Sequence, residues 1–104
     1  MAIKCSYYSS QFGTTFPDAY HAIDTVTFRR NEAGDVMAYI GVSIYAQAPV
    51  SGGMQPIGGE LCTFPMSAFD AVASGSAISR SYQLLIGLPE YSGGIHVDAN
   101  GDPT

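Results

Sequence analysis

AYHAIDTVTFRR, from Ala19 to Arg30, and VMAYIGVSIYAQ, from Val36 to Gln47, joined by the polar stretch Asn31-Glu32-Ala33-Gly34-Asp35, decide how this chain folds. The second run alternates cleanly. Val36, Ala38, Ile40, Val42 and Ile44 fall on one side of an extended strand, and Met37, Tyr39, Gly41, Ser43 and Tyr45 fall on the other. In the first run Tyr20, Ala22, Val26 and Phe28 are expected to share a face that Asp24 interrupts, so the pairing of the two runs rests mainly on the turn. There Gly34 offers a positive φ between two apolar stretches. Extended runs of this length reach roughly 40 Å, about twice an ordinary strand. An isolated hairpin is marginal in water, and each inward side chain stabilises by roughly 1.5–3 kcal/mol only when covered.

The rest of the chain supplies the cover. Residues 2 to 9 alternate Ile3, Cys5 and Tyr7 against Lys4, Ser6 and Tyr8, which predicts a short first strand, and Gln11 to Pro17 reads as a loop. Ala48 to Gly59 is rich in Pro, Gly, Ser and Met and predicts a connecting loop. Glu60 to Phe64 predicts a short strand stopped by Pro65. Ser67 is expected to cap a short helical turn with Asp70, burying Phe69, Val72 and Ala73. A longer helix is predicted from Ser76 to Ile86, with Ile78, Tyr82, Leu85 and Ile86 on one stripe, Gly87 as a left-handed cap and Pro89 preventing continuation. A helix this short depends on packing, so it is expected to lie across the apolar face of the sheet. The expected fold is α+β, mainly antiparallel β: a small sheet or sandwich with a long hairpin and one or two short helices packed on it. A single domain spans 1–104, with a loose tail from about 98 to 104.

Composition bounds the function. Nine acidic residues against four basic give a net charge of −5, which disfavours direct nucleic-acid binding. Charged residues make up only 12% of the chain, about half the usual share for a soluble domain, and Tyr, Ser, Thr and Gly fill the polar positions. Such a surface suits lasting contacts, which are depleted in charge and enriched in Tyr and Met. No apolar run reaches signal-peptide or membrane-spanning length, so no membrane association is expected, and the chain is expected to be made in the cytoplasm.

Candidate chemistry is sparse. Cys5, Cys62, His21 and His96 are the soft metal ligands, and none falls in a zinc-ligand spacing. The cysteines are expected to be free and buried, and His21 is expected to be a strand residue with a backbone partner. Asp18 with His21, or Glu90 with His96, would lack both a positioned nucleophile and a group to stabilise developing charge. Ser51-Gly52-Gly53 lacks the lysine of a phosphate loop, and Asp98 to Asp102 lacks the distal glutamate of a calcium loop. No cofactor and no metal are expected. Phe12 and Phe16 are expected to anchor their loop onto the core, while Tyr7 and Tyr8 could form a carbohydrate- or partner-contacting surface.

Ser10-Gln-Phe-Gly-Thr-Thr-Phe-Pro-Asp-Ala-Tyr-His-Ala-Ile-Asp24, followed by the long hairpin, Gln55-Pro-Ile57 and Leu88-Pro-Glu-Tyr91, resembles small tailed-bacteriophage proteins encoded among virion structural genes. The resemblance implies a non-enzymatic virion component, assembled in repeated copies in the tail, neck, fibre or capsid. Its partners would be other virion proteins and copies of itself. Met37, Tyr39 and Tyr45 on the hairpin, with Met54 and Ile57 in the following loop, are the expected interface residues. The alternative is a small accessory module binding a host glycan or host protein through Tyr7 and Tyr8.

Overall fold

The computed structural model describes residues 2–49, 55–72 and 75–104. It is an α+β structure, mainly β: strands β1 (Ala2–Ser9), β2 (Thr14–Arg30), β3 (Val36–Tyr45), β4 (Gly58–Pro65) and β5 (Ile95–Val97), with helices α1 (Met66–Asp70) and α2 (Ala77–Ile86). The strands form one five-stranded sheet in the order β4-β3-β2-β1-β5. Every neighbouring pair is antiparallel. The central hairpin is the one expected, closed by Asn31 N–H to Asp35 O at 2.9 Å and Gly34 N–H to Asn31 O at 3.0 Å, with Gly34 at φ 88°.

β2 is longer than its sequence suggested. It begins at Thr14 inside the expected loop, because Thr14, Thr15 and Phe16 pair with Ser9, Tyr8 and Tyr7. Pro17 survives in this strand because the register shifts there: Pro17 and Asp18 together oppose Ser6, and a bulge does not require the missing N–H.

A second bulge corrects the expected face of β2. Between Ile23 and Thr25 the register slips by one residue at Asp24, so Tyr20 and Ala22 lie on one face while Val26 and Phe28 lie on the other with His21 and Ile23. A shift of one residue exchanges the two faces of everything beyond it. The Ser43 hydroxyl donates to the Asp24 carboxylate, which holds the extra residue against β3.

The inner face of the sheet carries the main core. Ile3, Cys5, Ala19, Ile40, Val42 and Ile44 meet Tyr82 and Leu85 of α2 and Tyr91 of the 3-10 turn Pro89–Tyr91. Ser76 caps α2, its Oγ accepting from Ser79 N–H at 3.2 Å. Tyr82, Leu85 and Ser81 are buried, but Ile78 is 54% exposed. Its helical angle matches the stripe, yet angle buries a side chain only where a neighbour lies opposite. Gly87 is right-handed (φ −82°, ψ −7°), not left-handed as expected, because Leu88 N–H still bonds Leu85 O at 2.9 Å and the chain winds on into the 3-10 turn.

Helix α1 differs as well. Its N-cap is Pro65, so Ser67 lies inside the helix and no side chain caps the start. Phe69 is buried there against Phe28, ring centroids 5.2 Å apart, and so covers the tip end of the hairpin. Val72 is half-buried, and Ala73 lies outside the described residues.

The expected loose tail is a hydrogen-bonded turn. Asp98 Oδ1 accepts from Asn100 N–H and Asp102 N–H, Val97 bridges to Pro103, and Thr104 N–H donates to His96 O at 3.2 Å. With Ala48, this turn closes over a small outer-face cluster of Ala2, Tyr20 and Val97.

Candidate functional site

β3 positions the expected interface residues by its period of two. Its burial alternates along the strand, placing Ala38, Ile40, Val42 and Ile44 inside and Met37, Tyr39, Gly41, Ser43 and Tyr45 on the outer face. Among the described residues no helix lies over that face: α1 and α2 pack against the opposite side.

The structure separates the expected interface residues. Met37 and Tyr39 are neighbours on the outer face, both half-buried, and the Arg29 guanidinium lies 4.7 Å from the centroid of the Tyr39 ring. A guanidinium over a tyrosine face restrains both groups and leaves a flat, partly cationic platform. Met37 also borders a groove of about 400 Å³ with Asp35, Val36, Pro65, Met66 and Ser67. Tyr45 stands at the far end of the strand, edge-on to Tyr20 at 6.3 Å, and packs into the small cluster under the C-terminal turn. Ile57 does not join the face. Its N–H bonds Ile44 O at 2.7 Å and its side chain packs on the main core, so its apolar character is used internally. Met54 lies outside the described residues.

Leu61 is the residue that sequence reasoning missed. At 64% exposure it is the most open large hydrophobic side chain among the described residues. In the β3–β4 register Leu61 pairs with Gly41 and Thr63 with Tyr39, so both continue the outer face, while Glu60, Cys62 and Phe64 point inward. Alternation permits either phase, and charge alone would have turned Glu60 outward. The signal lies elsewhere: Tyr91, far along the chain, donates its hydroxyl to Glu60 Oε1 at 2.5 Å and makes the inward phase tolerable.

The inner face holds the chemically richest side chains. His21 is 4% exposed, with its ring edge-on to Tyr91 at 5.1 Å and to Tyr7 at 6.2 Å, and its Nδ1 lies 3.2 Å from Ala19 O, the backbone partner expected of it. Burial pushes the His21 pKa down, partly offset by the Ala19 and Ile3 carbonyls and by Glu60. Burial raises the Cys5 thiol, which also points at Glu90 O, 3.6 Å away. Burial raises the Cys62 thiol to about 11, with Glu60 and Glu90 adding to the effect. Tyr91 is raised strongly by burial and by its bond to Glu60. Thiols shifted upward are poor nucleophiles and poor metal ligands. Both cysteines are free, and among the described residues no three His, Cys, Asp or Glu side chains gather to hold a metal ion.

The remaining candidates are dispersed. Asp18 lines an outer cleft with Lys4 and Pro17, apart from buried His21. Glu90 is exposed on the 3-10 turn, whereas His96 lines a cleft with Ser79, Tyr82, Gln83 and Thr104. Phe16 packs on the core as expected, but Phe12 is 55% exposed and meets the Phe16 ring edge to face at 6.2 Å. Tyr7 turns inward and Tyr8 outward, so the two tyrosines do not share a surface. Among the described residues no helix is long and apolar enough to cross a membrane.

No family model matches the chain, and neither a curated protein nor a solved structure matches it.

Proposed function

We propose that this chain is a non-enzymatic structural protein of a tailed-bacteriophage virion, built in repeated copies into a tail, neck, fibre or capsid. Other virion proteins and copies of itself are its partners. The reading is carried by one observation: on the β3–β4 half of the outer face those two strands contribute only uncharged side chains, Met37, Tyr39, Ser43, Leu61 and Thr63 among them, and the charges that reach it from β2 are engaged there, Arg29 over Tyr39 and Asp24 on Ser43. In a chain of net charge −5, that half offers a neighbour a surface poor in acids, its one carboxylate, Asp24, being bonded to Ser43. It is supported by the resemblance carried by residues 10–24, 55–57 and 88–91. Native mass spectrometry of the chain, alone and mixed with the proteins encoded beside it, tests the reading. A ring-sized oligomer or a fixed-ratio complex supports it, and a strict monomer that binds none of them contradicts it.

A second reading, a module that binds a host glycan or host protein, is favoured by the exposure of Tyr8 next to the Phe12 loop. Tyr8→Ala separates the two. Loss of glycan or host-protein binding with assembly intact supports the module, whereas loss of assembly with no binding to lose supports the structural role.

A further inference from the structure

We infer that Asn100 modifies itself: the backbone nitrogen of Gly101 attacks the Asn100 side-chain amide, and the product releases the turn that closes the C-terminal residues over the outer face. Asn100-Gly101 lies at the exposed tip of that turn. Glycine has no Cβ to obstruct the approach of its own nitrogen to the preceding side chain. The Asn100 amide makes no hydrogen bond among the described residues. Nor does the turn need it. The hairpin tip has the same backbone bonds: Asn31 N–H to Asp35 O and Gly34 N–H to Asn31 O there, Asp98 N–H to Asp102 O at 2.8 Å and Gly101 N–H to Asp98 O at 3.0 Å here, each glycine at positive φ. In both, the Oδ1 of the first residue accepts from the last N–H. Ala33 fills the place before the glycine in one turn and Asn100 in the other, so geometry does not call for an asparagine.

The reaction balances with water alone. Gly101 N bonds to Asn100 Cγ, and its proton leaves with the side-chain NH2 group as ammonia, closing a succinimide ring. Water then opens the ring at either carbonyl. One product is aspartate at position 100. The other is isoaspartate, whose main chain runs through the former side chain and is longer by a methylene. In the closed turn the Gly101 N–H is committed to Asp98 O, so the attack proceeds from an open turn and its rate reads the opening of residues 98–104. Few bonds hold the closed form: Asn100 and Asp102 N–H on Asp98 Oδ1, the Val97–Pro103 bridge, and Thr104 N–H on His96 O. Both products oppose reclosure. Aspartate adds a carboxylate between Asp98 and Asp102, and isoaspartate carries the Gly101 and Asp102 N–H groups out of register with Asp98. The release uncovers Ala2, Tyr20 and Val97 and frees Tyr45, which packs against them. Loss of ammonia makes the change one-way.

The test is ageing of the full chain in mildly alkaline buffer, read by peptide mapping with isoaspartate detection and by amide hydrogen exchange. Asn31, followed by Glu32, is the internal control. Conversion is expected at Asn100 and not at Asn31. Asp98→Ala removes the two bonds to its carboxylate and is expected to speed conversion about tenfold. Asn100→Ala is expected to abolish it with an unchanged circular dichroism spectrum. In the aged wild type the amides of Gly101, Asp102 and Thr104 should exchange faster than in fresh protein, while those of β2 and β3 do not. Asn100 that stays intact in the folded chain while the urea-unfolded chain is converted overturns the inference. So does a converted chain whose exchange matches fresh protein, and conversion no faster in Asp98→Ala overturns the link to turn opening.

Discussion

The Tyr82 hydroxyl of α2 accepts a hydrogen bond from the backbone N–H of Ile23 at 3.0 Å, next to the bulged residue Asp24 of β2. The bulge takes this N–H out of the regular ladder, and the helix satisfies it. A single phenol therefore couples the seating of α2 to the local register of the longest strand. Tyr82→Phe keeps the ring and strands the donor, so a loss of about 1–3 kcal/mol of stability is expected. Urea denaturation measures it, and an unchanged midpoint would show that the bulge is held by Asp24 and Ser43 alone.

Gly58 is fixed by a residue from the other side of the sheet. Strands three places apart in a flat sheet stand about 14 Å apart. Yet a Cβ at Gly58 would lie 2.5 Å from the Tyr7 hydroxyl oxygen and 3.1 Å from its Cζ, so the sheet is curled enough for Tyr7 of β1 to reach β4 across the inner face. Gly58→Ala is expected to lose about 1–3 kcal/mol through overpacking. In a Tyr7→Ala background the same change should cost markedly less, a coupling that a double-mutant cycle reads directly. Strict additivity would mean that Tyr7 does not occupy this position.

Acid should weaken the fold through His21. Its pKa in the folded chain lies below the ordinary 6.5, so as pH falls the unfolded chain takes up the proton first. The contribution of His21 is complete above 6.5 and declines as pH drops from there toward the depressed folded value. His21→Gln removes this titration, and its stability should vary less with pH than that of the wild type between about pH 7 and 5. Parallel pH profiles for the two proteins would contradict the assignment.

The thiols offer a separate readout of the inner face. With Cys62 raised from 9.0 to about 11, its thiolate is on the order of a hundredfold scarcer than in an ordinary cysteine below pH 9. A thiol-specific disulfide reagent should therefore react slowly with the native chain and quickly after denaturation. Rapid labelling of both cysteines in the native chain would show that the inner-face packing does not stay closed over Cys62.

Much of the fold was legible in the sequence because it is local. The period of two in β3 placed Ala38, Ile40, Val42 and Ile44 inside, Gly34 marked the turn, and Ser76 with Leu85 marked α2. What was not legible depends on contacts distant in sequence. Asp24 read as an interruption of one face when it is the extra residue that exchanges the faces. Pro17 read as a loop because its bulge is defined only by β1. Glu60 is stable inward only through Tyr91, so the outward phase of Leu61 was hidden. The same reason divides the expected interface: Met37 and Tyr39 follow from periodicity, whereas Ile57 is drawn inward and Tyr45 is partly enclosed by a C-terminal turn whose docking no local pattern announces.

The central claim is that copies of this chain associate through the charge-poor outer face of the β3–β4 half of its sheet. Native mass spectrometry across a concentration series, alone and with the proteins encoded beside it, tests this most directly. The account predicts discrete oligomers or fixed-ratio complexes that Leu61→Lys weakens. A monomer at every concentration, indifferent to every such partner, would contradict it.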